Sequence, residues 1–420
     1  MRYGLLGEKL GHSFSKEIHE KLGRYSYELI EVPRDRIDAF MTAREFVGLN
    51  VTIPYKQTVI PYLDEISPRA RAIGAVNTIV NRGGKLYGDN TDFGGMKLLI
   101  ERMTPNLRDQ TVLVCGTGGT SRTAVAVAEA LGADAAKIHR LSRSGKDGAL
   151  SYEDAYAFAA SAGAGTGEKY LINTTPCGMY PDVEGCPVDL SRLPGLTGVA
   201  DVIYNPLTTK LVRLARERGL PSENGLYMLV AQAVLAAEIF TNAPFPAGTI
   251  DRVYGELLFE KRNIVLTGMP SSGKSTVGRR LAKRLGRELI DTDAEIVKRA
   301  GTPITEIFKT HGEAYFRDLE TETIKELSRT GGRVIATGGG AVLRKENIDV
   351  LKLNGTVVVL DRPLADLLPT DDRPLSNDET KLRSLYAERH PIYTAAADVA
   401  VPVRGTPEDT VNEVMEKLTL

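Results

Sequence analysis

The sequence predicts an α/β protein with more than one domain, and three observations lead to this prediction. The chain has 420 residues, more than a single hydrophobic core usually organises. An apolar strand pattern at 263–267 runs into Gly-x-x-x-x-Gly-Lys-Ser and a basic amphipathic helix. A second apolar strand, at 111–115, runs into a glycine turn and an alanine-rich helix. Because the first pattern normally lies near the start of its domain, the long segment before it must form a further domain.

Composition and charge are those of an ordinary globular protein. Hydrophobic residues make up 42% and charged residues 25% of the chain, and the formal net charge is −1. A net charge near zero gives no support for nucleic acid or an anionic membrane as a partner. Three cysteines without metal-type spacing indicate neither a metal site nor disulfides: Cys115, Cys177 and Cys186. With no signal-peptide pattern and no membrane span, even in the apolar stretch 226–240, we expect a cytoplasmic protein. The sequence assigns no oligomeric state.

The pattern that begins at Gly268 is typical of a loop that binds nucleotide phosphates. Gly268 and Gly273 allow the backbone to turn its amide hydrogens toward the β- and γ-phosphates. Lys274 supplies positive charge there, and the Ser275 hydroxyl can bind Mg²⁺. The predicted nucleotide-binding residues of this loop are Gly268, Ser271, Ser272, Gly273, Lys274, Ser275 and Thr276.

Two carboxylates follow the helix after this loop. Asp291 and Asp293 end a predicted strand over 287–293, and their spacing of two points both side chains the same way on a strand. One acid near Ser275 can hold Mg²⁺ through water, and the other can face an acceptor hydroxyl. The alternative, that they only cap the start of a loop, is weaker because they follow the phosphate loop at βαβ distance.

The segment 111–131 predicts a dinucleotide-binding unit, with the pyrophosphate at the helix N-terminus. The next predicted strand, 136–141, ends in Ser142-Arg143-Ser144, where an NAD-binding protein would carry an acidic residue. An acid at this point accepts from the ribose 2′-hydroxyl, whereas Arg143 favours a 2′-phosphate. The sequence therefore predicts NADP rather than NAD.

Polar residues after the early strands are candidates for binding a small polar ligand. Ser13 and Ser15 follow the predicted strand 2–7, although a helix cap for 16–22 is the favoured interpretation of these hydroxyls taken alone. Lys56 lies at the tip of another strand, either as a general acid or base or as a solvated charge, and position alone does not decide. Asp92 belongs to a polar cluster that predicts a turn, and its carboxylate could pair with a catalytic lysine.

Further along, Met228 and Gln232 lie one turn apart on a predicted helix. Methionine is more often a core residue than a ligand contact, so Gln232 is the better candidate for binding.

Residues 1 to about 258 resemble shikimate 5-dehydrogenase along their whole length. The resemblance is carried by these motifs: His12-Ser-Phe-Ser15, Asn50-Val-Thr-Ile-Pro-Tyr-Lys56, Gly74-Ala-Val-Asn77-Thr, Asn90-Thr-Asp92, Gly116-Thr-Gly-Gly119, Asn173-Thr-Thr-Pro-Cys-Gly-Met179 and the helix from Met228 to Gln232. It implies an α/β substrate domain at 1–93 and 225–260 and a Rossmann NADP-binding domain at 94–224. Lys16 and Glu20 depart from the family pattern, at positions that do not touch the expected chemistry.

The resemblance also implies roles for individual residues. NADPH gives a hydride to the ketone carbon of 3-dehydroshikimate, Lys56 protonates the developing alkoxide, and Asp92 orients substrate and lysine. The implied substrate-binding residues are Ser13, Ser15, Thr52, Lys56, Asn77, Asp92, Tyr204 and Gln232. The implied NADP-binding residues are Gly116, Thr117, Gly118, Gly119, Thr120, Ser142, Arg143, Ser144, Asn173, Thr174, Val202, Gly225 and Met228.

The remaining 262–420 is similar to shikimate kinase, with a P-loop α/β fold and a parallel sheet. Besides the Gly268 loop and the two aspartates, the matching motifs are Phe316-Arg317, Gly338-Gly-Gly340, Arg373-Pro-Leu and Arg389-x-Pro-x-Tyr393. Taken by itself, an arginine on a helix is usually a surface ion pair. The match implies that shikimate is bound by Asp293, Arg317, Gly338, Gly339, Gly340 and Arg389. It further implies that Lys274 and Arg373, the latter on a short lid at 363–378, stabilise the phosphoryl group that ATP transfers, with Mg²⁺ held by Ser275 and Asp291.

Together the two resemblances predict a bifunctional enzyme that catalyses consecutive steps: reduction of 3-dehydroshikimate to shikimate, then ATP-dependent phosphorylation of shikimate. Its cofactors would be NADP(H), ATP and Mg²⁺. One alternative is a dehydrogenase of the quinate/shikimate type fused to a different small-molecule kinase. Another is a shikimate-sensing regulator with one inactive module. Because Lys56, Asp92, Lys274 and Asp293 are all present, the regulator is the weaker alternative.

Overall fold

The computed structural model describes residues 2–11, 13–146, 148–161, 167–367 and 379–418. The chain divides into two compact units, Met1–Leu257 and Leu258–Leu420. The predicted strand at 111–115 is confirmed, and Cys115 at its end is buried. None of the helices within the described ranges is long and apolar enough to cross a lipid bilayer.

The first sheet of unit 1 is mixed and has the order β2-β1-β3-β5-β6-β4. Its strands are β1 (Tyr3–Gly7), β2 (Tyr27–Glu31), β3 (Gly48–Val51), β4 (Glu65–Ile66), β5 (Thr78–Arg82) and β6 (Lys85–Asp89). The pairs β3–β5 and β5–β6 are antiparallel, whereas β1 is parallel to both of its neighbours. The helices of this region are α1 (Ser15–Leu22), α2 (Ile37–Ala43), α3 (Pro68–Ile73) and α4 (Thr91–Glu101).

The second sheet of unit 1 is parallel throughout and has the order β12-β11-β10-β7-β8-β9. This is the order of a doubly wound dinucleotide-binding sheet, with the first strand central and the chain turning outward on either side. Its strands are β7 (Thr111–Cys115), β8 (Ile138–Ser142), β9 (Leu150–Ser151), β10 (Lys169–Asn173), β11 (Leu196–Asp201) and β12 (Ser222–Glu223). Its helices are α5 (Gly119–Ala130), α6 (Tyr152–Ala160) and α7 (Lys210–Glu217).

Two long helices complete unit 1 and lead out of it, α8 (Leu226–Thr241) and α9 (Thr249–Lys261). Helix α8 returns to the first sheet, where the Phe240 ring lies on Gly48 so closely that a Cβ at Gly48 would come within 2.6 Å of it. The segment that follows the second sheet in sequence therefore packs with the first sheet. Helix α9 runs to Lys261, and the first strand of unit 2 begins at Asn263.

Unit 2 is built on one parallel sheet with the order β14-β15-β13-β16-β17. Its strands are β13 (Asn263–Thr267), β14 (Leu289–Asp291), β15 (Val334–Ala336), β16 (Gly355–Asp361) and β17 (Val399–Pro402). Its helices are α10 (Lys274–Leu285), α11 (Thr292–Ala300), α12 (Ile304–Leu327), α13 (Lys345–Asn354), α14 (Glu379–Ala396) and α15 (Pro407–Lys417). The five residues of β13 are all buried, which explains why its central residues, 264–266, are continuously apolar rather than alternating.

Candidate active sites

A cavity of about 230 Å³ in unit 1 contains the first candidate site. Its wall is formed by strands β1 and β3 of the first sheet, by the segment that follows β11 of the second sheet, and by helices α1, α4, α5 and α8. The structure brings together all eight substrate-binding candidates there: Ser13, Ser15, Thr52, Lys56, Asn77, Asp92, Tyr204 and Gln232. Four cofactor candidates line the same cavity: Thr120, Val202, Gly225 and Met228. Predicted substrate and cofactor residues therefore share one space.

An ion pair lies in this cavity. Lys56 Nζ is 2.6 Å from Asp92 Oδ2, and the side chains are 26% and 16% exposed. Asp92 lies in the first turn of α4, where the Asn90 side chain caps the helix by accepting from Phe93 N at 3.2 Å. The turn predicted for this polar cluster is wrong, since the cap starts a helix immediately after β6. The helix N-terminus also favours a carboxylate at this position.

Glycine at position 95 allows α4 and α8 to approach each other closely. A Cβ at Gly95 would lie 2.7 Å from the carbonyl oxygen of Met228 and 3.0 Å from the Gln232 side chain. The backbone of α4 therefore rests directly on α8, and Asp92 reaches the same cavity as Gln232. The Gln232 side chain is buried, and its Nε2 donates to the Leu229 carbonyl at 2.9 Å.

The Ser13 hydroxyl satisfies a backbone amide at the start of helix α1, so the interpretation of these hydroxyls as a helix cap holds for Ser13. Helix α1 starts at Ser15, whose N donates to the Ser13 hydroxyl at 3.2 Å. The Ser13 hydroxyl in turn donates to the Ser15 hydroxyl at 3.0 Å. Both hydroxyls line the cavity. His12 lies outside the described residues.

Asn50 is a cavity residue to which the sequence analysis gave no role. It lies on β3, and its Oδ1 accepts from the buried Tyr27 hydroxyl at 2.7 Å. The alternation of side chains along a strand could have identified it, because Asn50 precedes Thr52 by two residues and so faces the same way. Three apolar residues also line the cavity without having been predicted: Leu5, Val51 and Leu229.

The predicted dinucleotide turn lies at the carboxyl edge of the second sheet. Gly116 has a φ of 111°, and a Cβ on it would lie 2.7 Å from Thr174 Oγ1, so the turn needs glycine. Gly118 is the N-cap residue of α5, and free backbone amides at such a helix start suit a pyrophosphate. Gly116 N donates to the carbonyl of Leu141, which places the end of β8 and its exposed Arg143 beside the turn. The residues present therefore fit a dinucleotide with a 2′-phosphate.

The second candidate site is the phosphate loop of unit 2. Gly268 and Gly273 have φ angles of 142° and 96°, in the region that favours glycine. Lys274 is buried, and its ammonium donates to the carbonyls of Gly268 at 2.8 Å and Met269 at 2.9 Å. The loop therefore curls around its own lysine.

An oxygen pair suited to Mg²⁺ lies next to this loop. The Ser275 hydroxyl donates to Asp291 Oδ2 at 2.9 Å. Hydroxyl and carboxylate oxygens are the ligands that Mg²⁺ prefers, with water completing its shell, so the residues present fit the ion. Asp291 Oδ1 accepts from Asp293 N at 3.1 Å and so caps α11. The prediction that both aspartates extend one strand is wrong, because β14 ends at Asp291 and Asp293 lies in the first turn of α11.

Two predicted acceptor-binding side chains lie against the glycine run after β15. A Cβ at Gly338 would collide with the carboxylate of Asp293, and one at Gly340 would collide with the guanidinium of Arg317. Arg389 Nη1 is 3.5 Å from the Gly339 carbonyl. Glycine at these positions leaves room for the two side chains, and the described candidates of this group lie close to one another. Arg373 lies outside the described residues.

Arg317 is not a surface ion pair, which corrects the interpretation of this residue from its helical position alone. It is 9% exposed, and its Nη1 lies 2.6 Å from Oε2 of Glu320, a carboxylate with no exposed surface. Glu313 accepts from the same guanidinium at 3.1 Å. Burial raises the pKa of Glu320 above its ordinary value, although the positive charge of Arg317 opposes this. Glu320 was missed by the sequence analysis; its signal was the spacing of three from Arg317 on one helix.

The family models agree with this division into two sites. The model described as "Shikimate dehydrogenase substrate binding domain" matches residues 5–79. The model described as "Shikimate kinase" matches residues 270–419. The first match contains the loop with Lys56, and the second contains all but the first residues of the phosphate loop and every described acceptor-binding candidate.

Similar proteins cover the first unit. A shikimate dehydrogenase (NADP(+)) from Clostridium perfringens is 38% identical over 266 residues, which span 61% of this chain and 97% of that protein. One from Geobacillus kaustophilus is 40% identical over 258 residues, spanning 57% of this chain and 92% of the relative.

Solved structures show the same correspondence. A chorismate mutase/shikimate 5-dehydrogenase fusion protein from Clostridium acetobutylicum is 34% identical, with a TM-score of 0.55, over 61% of this chain and 96% of that chain. Shikimate 5-dehydrogenase from Thermus thermophilus, solved with NADP(H) and shikimate, is 27% identical, with a TM-score of 0.53, over 61% of this chain and 99% of that chain. The chain thus belongs to the shikimate dehydrogenase family through its first unit and carries a shikimate kinase domain in its second, so that it is a bifunctional fusion of an NADP-dependent oxidoreductase and a kinase.

Proposed function

We propose that the cavity of unit 1 reduces 3-dehydroshikimate to shikimate with NADPH, and that unit 2 transfers a phosphoryl group from ATP to the 3-hydroxyl of shikimate. The observation that carries the first reaction is the Lys56–Asp92 ion pair at 2.6 Å in a cavity lined by hydroxyl and amide side chains. Such a lining suits a small, polyhydroxylated ligand, and a lysine beside a carboxylate can deliver a proton to it.

In this mechanism Lys56 is the general acid. When bound, NADPH supplies the hydride that reduces the ketone carbon. The Lys56 ammonium gives a proton to the ketone oxygen as negative charge develops there, and its partial exposure lets it regain a proton from water. Asp92 holds the ammonium in place and can accept a hydrogen bond from a neighbouring substrate hydroxyl.

The remaining cavity residues orient the substrate. The paired hydroxyls of Ser13 and Ser15 can bind its carboxylate, and Thr52, Asn77 and Gln232 can bind its hydroxyls. Asn77 Oδ1 accepts from Thr91 N at 2.7 Å, so this amide also fixes the start of the helix that carries Asp92.

In unit 2 the residues divide between nucleotide and acceptor. ATP with Mg²⁺ supplies the phosphoryl group when bound; Ser275 and Asp291 would hold the ion. Asp293 orients the acceptor hydroxyl, while Arg317 and Arg389 bind the shikimate carboxylate, because a planar guanidinium matches a carboxylate well. Lys274 and Arg373 stabilise charge on the transferring group.

Three domains are proposed to carry these functions, and they keep the predicted boundaries. Residues 1–93 and 225–260 form the substrate domain, 94–224 the Rossmann NADP domain and 262–420 the kinase domain. The return of α8 to the first sheet supports the discontinuous substrate domain. The balanced charge is consistent with a cytoplasmic enzyme that acts on small molecules without a nucleic-acid or membrane partner.

A two-stage assay on the intact chain tests the proposal. Absorbance loss of NADPH is followed with 3-dehydroshikimate, and ADP is measured after addition of ATP and Mg²⁺. We expect NADPH loss first and ADP only once shikimate has formed. Turnover of quinate in place of shikimate, or of AMP as phosphoryl acceptor, would favour a different dehydrogenase–kinase pair, and the absence of either activity would contradict the assignment of that unit.

A further inference from the structure

A buried carboxylate outside the two predicted sets of site residues lies at the edge of the second sheet. Asp201 is the last residue of β11 and pairs in register with Asn173, the last residue of β10. Asn173 pairs in turn with Cys115, the last residue of β7, directly before the dinucleotide turn. Asp201 and Asn173 have no exposed surface. A buried carboxylate is costly unless donors compensate it, so its partners matter.

Three donors, all neutral, surround Asp201. Its Oδ1 accepts from Asn173 Nδ2 at 3.0 Å and from Ile203 N at 3.1 Å. Its Oδ2 accepts from the Thr209 hydroxyl at 2.7 Å. A carboxylate makes stronger hydrogen bonds to neutral donors than an uncharged acceptor does, so Asp201 holds these groups firmly.

The groups that Asp201 holds belong to segments of the cofactor site. Asn173 Oδ1 accepts from Thr175 N at 3.0 Å and from the Thr175 hydroxyl at 2.7 Å, which fixes the segment after β10. Ile203 uses its carbonyl to accept from Gly225 N at 2.9 Å, and Gly225 is the N-cap residue of α8. One carboxylate therefore links two strand ends to the helix that carries Met228.

The same segments reach the substrate side of the cavity. Val202 and Tyr204, on either side of Ile203, both line the cavity. The Tyr204 ring lies 5.4 Å from the ring of Phe14, the residue between Ser13 and Ser15. A shift of segment 202–204 would therefore move both the cofactor wall and a ring packed against the serine loop.

We propose that Asp201 is a positioning residue of the dehydrogenase site, which orders segments 173–175 and 202–204 for binding NADPH and aligning it with the substrate. The proposal rests on the reduction proposed above for unit 1. It assigns Asp201 no contact with substrate or cofactor; the residue acts through Asn173, Ile203 and Thr209.

The electrostatics around Asp201 make this role dependent on pH. Burial raises the pKa of Asp201 to about 6, although its three hydrogen bonds oppose the rise. The titratable groups that face it are three thiols whose own pKa values its charge helps to raise: Cys115, Cys177 and Cys186. These thiols are protonated at neutral pH, where Asp201 is ionised. Below pH 6 Asp201 takes up a proton and loses an acceptor position, so NADPH binding should weaken.

The test compares Asp201→Asn with Thr197→Val in the intact chain. Asparagine keeps the size of the side chain but removes its charge, whereas Thr197, near the other end of β11, bonds to Gln110 and not to the site. For Asp201→Asn we expect the KM for NADPH at pH 8 to rise about tenfold with a smaller change in kcat. We expect the KM of the wild type for NADPH to rise below pH 6, and the KM of Asp201→Asn to stay the same across this pH range. Thr197→Val should match the wild type, and kinase activity, which belongs to unit 2, serves as an internal control for the concentration of intact chain.

Two further variants decide the question even if Asp201→Asn impairs folding of unit 1. Thr209→Val removes one donor to Asp201 together with the hydroxyl that caps α7 by accepting from Val212 N, and it should raise the KM for NADPH about threefold. Thr209→Ser keeps both bonds and should restore the KM. The proposal would be overturned if Thr209→Val and Thr209→Ser had equal KM values for NADPH. It would also be overturned if the KM of Asp201→Asn for NADPH lay within twofold of the wild-type value both at pH 8 and below pH 6. A wild type that does not oxidise NADPH with 3-dehydroshikimate would instead refute the reduction itself.

Discussion

The two candidate sites differ in how many of their charged groups are already engaged in hydrogen bonds and ion pairs with the protein itself. In unit 1 the Lys56–Asp92 pair faces an open cavity, and its hydroxyl and amide neighbours line the same space. In unit 2 the principal charged groups are held by internal partners: Lys274 by its own loop carbonyls, Arg317 by Glu320, and Asp291 by the start of α11. The dehydrogenase site is therefore arranged around a cavity, whereas ligands of the kinase site must join or displace existing bonds.

This difference predicts different consequences when a charged group is removed. In unit 1 the loss should appear in catalysis alone, because the cavity can admit water in place of the missing group. In unit 2 the loss of some groups should appear in stability as well, because a buried partner is left unpaired. Variants at Lys56, Lys274 and Arg317 separate these outcomes, and variants at His19 and Arg143 sharpen the description of unit 1.

The largest effect is expected from Lys56→Ala. Removal of a general acid should lower kcat for reduction roughly 10²- to 10⁴-fold. Kinase turnover and thermal stability should stay unchanged, because Lys56 is partly exposed beside the cavity. Lys97→Ala is the matched control, since Lys97 lies on α4 and makes an exposed ion pair with Glu101. A Lys56→Ala enzyme with more than a tenth of wild-type kcat would contradict the role of this lysine.

Lys274→Ala should lower kcat of the kinase by roughly 10²- to 10³-fold, because one preorganised positive group is lost from the transferring phosphoryl. Dehydrogenase turnover should not change. The control is Lys283→Ala, an exposed lysine in the last turn of the same helix. If the two variants phosphorylate shikimate at the same rate, the loop does not act as proposed.

Arg317→Ala should affect both binding and stability, which distinguishes the kinase site from the cavity of unit 1. It leaves Glu320 buried without its cation, and breaking a buried pair in this way costs roughly 3–5 kcal/mol. We expect faster hydrogen exchange of the β13 and β15 amides, together with a higher KM for shikimate.

The double variant Arg317→Ala/Glu320→Ala serves as the control for this stability effect. Removal of the carboxylate should recover part of the lost protection, because no charge then remains buried and unpaired. The KM for shikimate should stay high. Additive losses of protection in the double variant would show that the pair is not coupled.

A histidine behind the cavity gives unit 1 a pH-dependent stability term. Burial lowers the pKa of His19 to about 3, and its Nδ1 lies 2.7 Å from the Tyr25 hydroxyl. Because the folded-state pKa is lowered from 6.5, the unfolded chain binds the additional proton, and stability is lost as pH falls below about 6.5. The difference in stability between wild type and His19→Phe should therefore shrink by roughly 1.4 kcal/mol per pH unit between pH 6 and 4.

Hydrogen exchange of the β1 and β3 amides measures this difference, and the titration of other groups, Asp201 included, cancels in it. Tyr25→Phe is the matched control, because it removes the hydrogen bond but leaves a buried neutral histidine. Its difference from wild type should stay constant with pH. A constant difference for His19→Phe would show that the histidine does not titrate as described.

The smallest effect concerns cofactor choice. Arg143→Ala should reduce the preference for NADPH over NADH about tenfold, as expected for the loss of one charged contact to a 2′-phosphate. The measurement is the ratio of kcat/KM for the two cofactors. Arg108→Ala, which changes an exposed arginine of the same unit, is the control. An unchanged ratio would place cofactor selection elsewhere.

The most accurate predictions from the sequence concern motifs whose residues are consecutive in the chain. The phosphate loop and the glycine turn at 116–119 depend on backbone conformation, which glycine and local order determine directly. The fold class follows from the same strand–turn–helix units, since the second and third sheets are both built from parallel strands.

The incorrect predictions concern polar residues at strand ends, whose side chains can stabilise either a turn or the start of a helix. Asp293 was expected to extend the strand, but β14 ends at Asp291, whose carboxylate caps α11. Asp92 was expected in a turn, but the cap at Asn90 starts a helix. In each case a polar residue at a strand end can either close a turn or cap a helix, and the residue type alone does not distinguish the two.

Residues that act through burial were missed for a different reason. Asn50 and Asp201 acquire their importance from partners that only the folded chain supplies. The partner of Glu320 is only three residues away, but the burial of this pair depends on the fold. Asn50 and Tyr27, for example, are 23 residues apart, and the hydrogen bond between them exists because β1 lies between their strands. Nothing in the local pattern of an aspartate or glutamate shows whether it will be buried.

Whether the two activities have separate active sites is decided by following both products with mass spectrometry in three proteins: wild type, Lys56→Ala and Lys274→Ala. Each receives 3-dehydroshikimate, NADPH, ATP and Mg²⁺. We predict shikimate 3-phosphate from the wild type and accumulated shikimate from Lys274→Ala. Lys56→Ala should form almost no shikimate and almost no shikimate 3-phosphate from 3-dehydroshikimate. When shikimate is added, this variant should phosphorylate it at the wild-type rate. Formation of shikimate 3-phosphate from 3-dehydroshikimate by Lys56→Ala at the wild-type rate would contradict the assignment of two separate active sites to these residues.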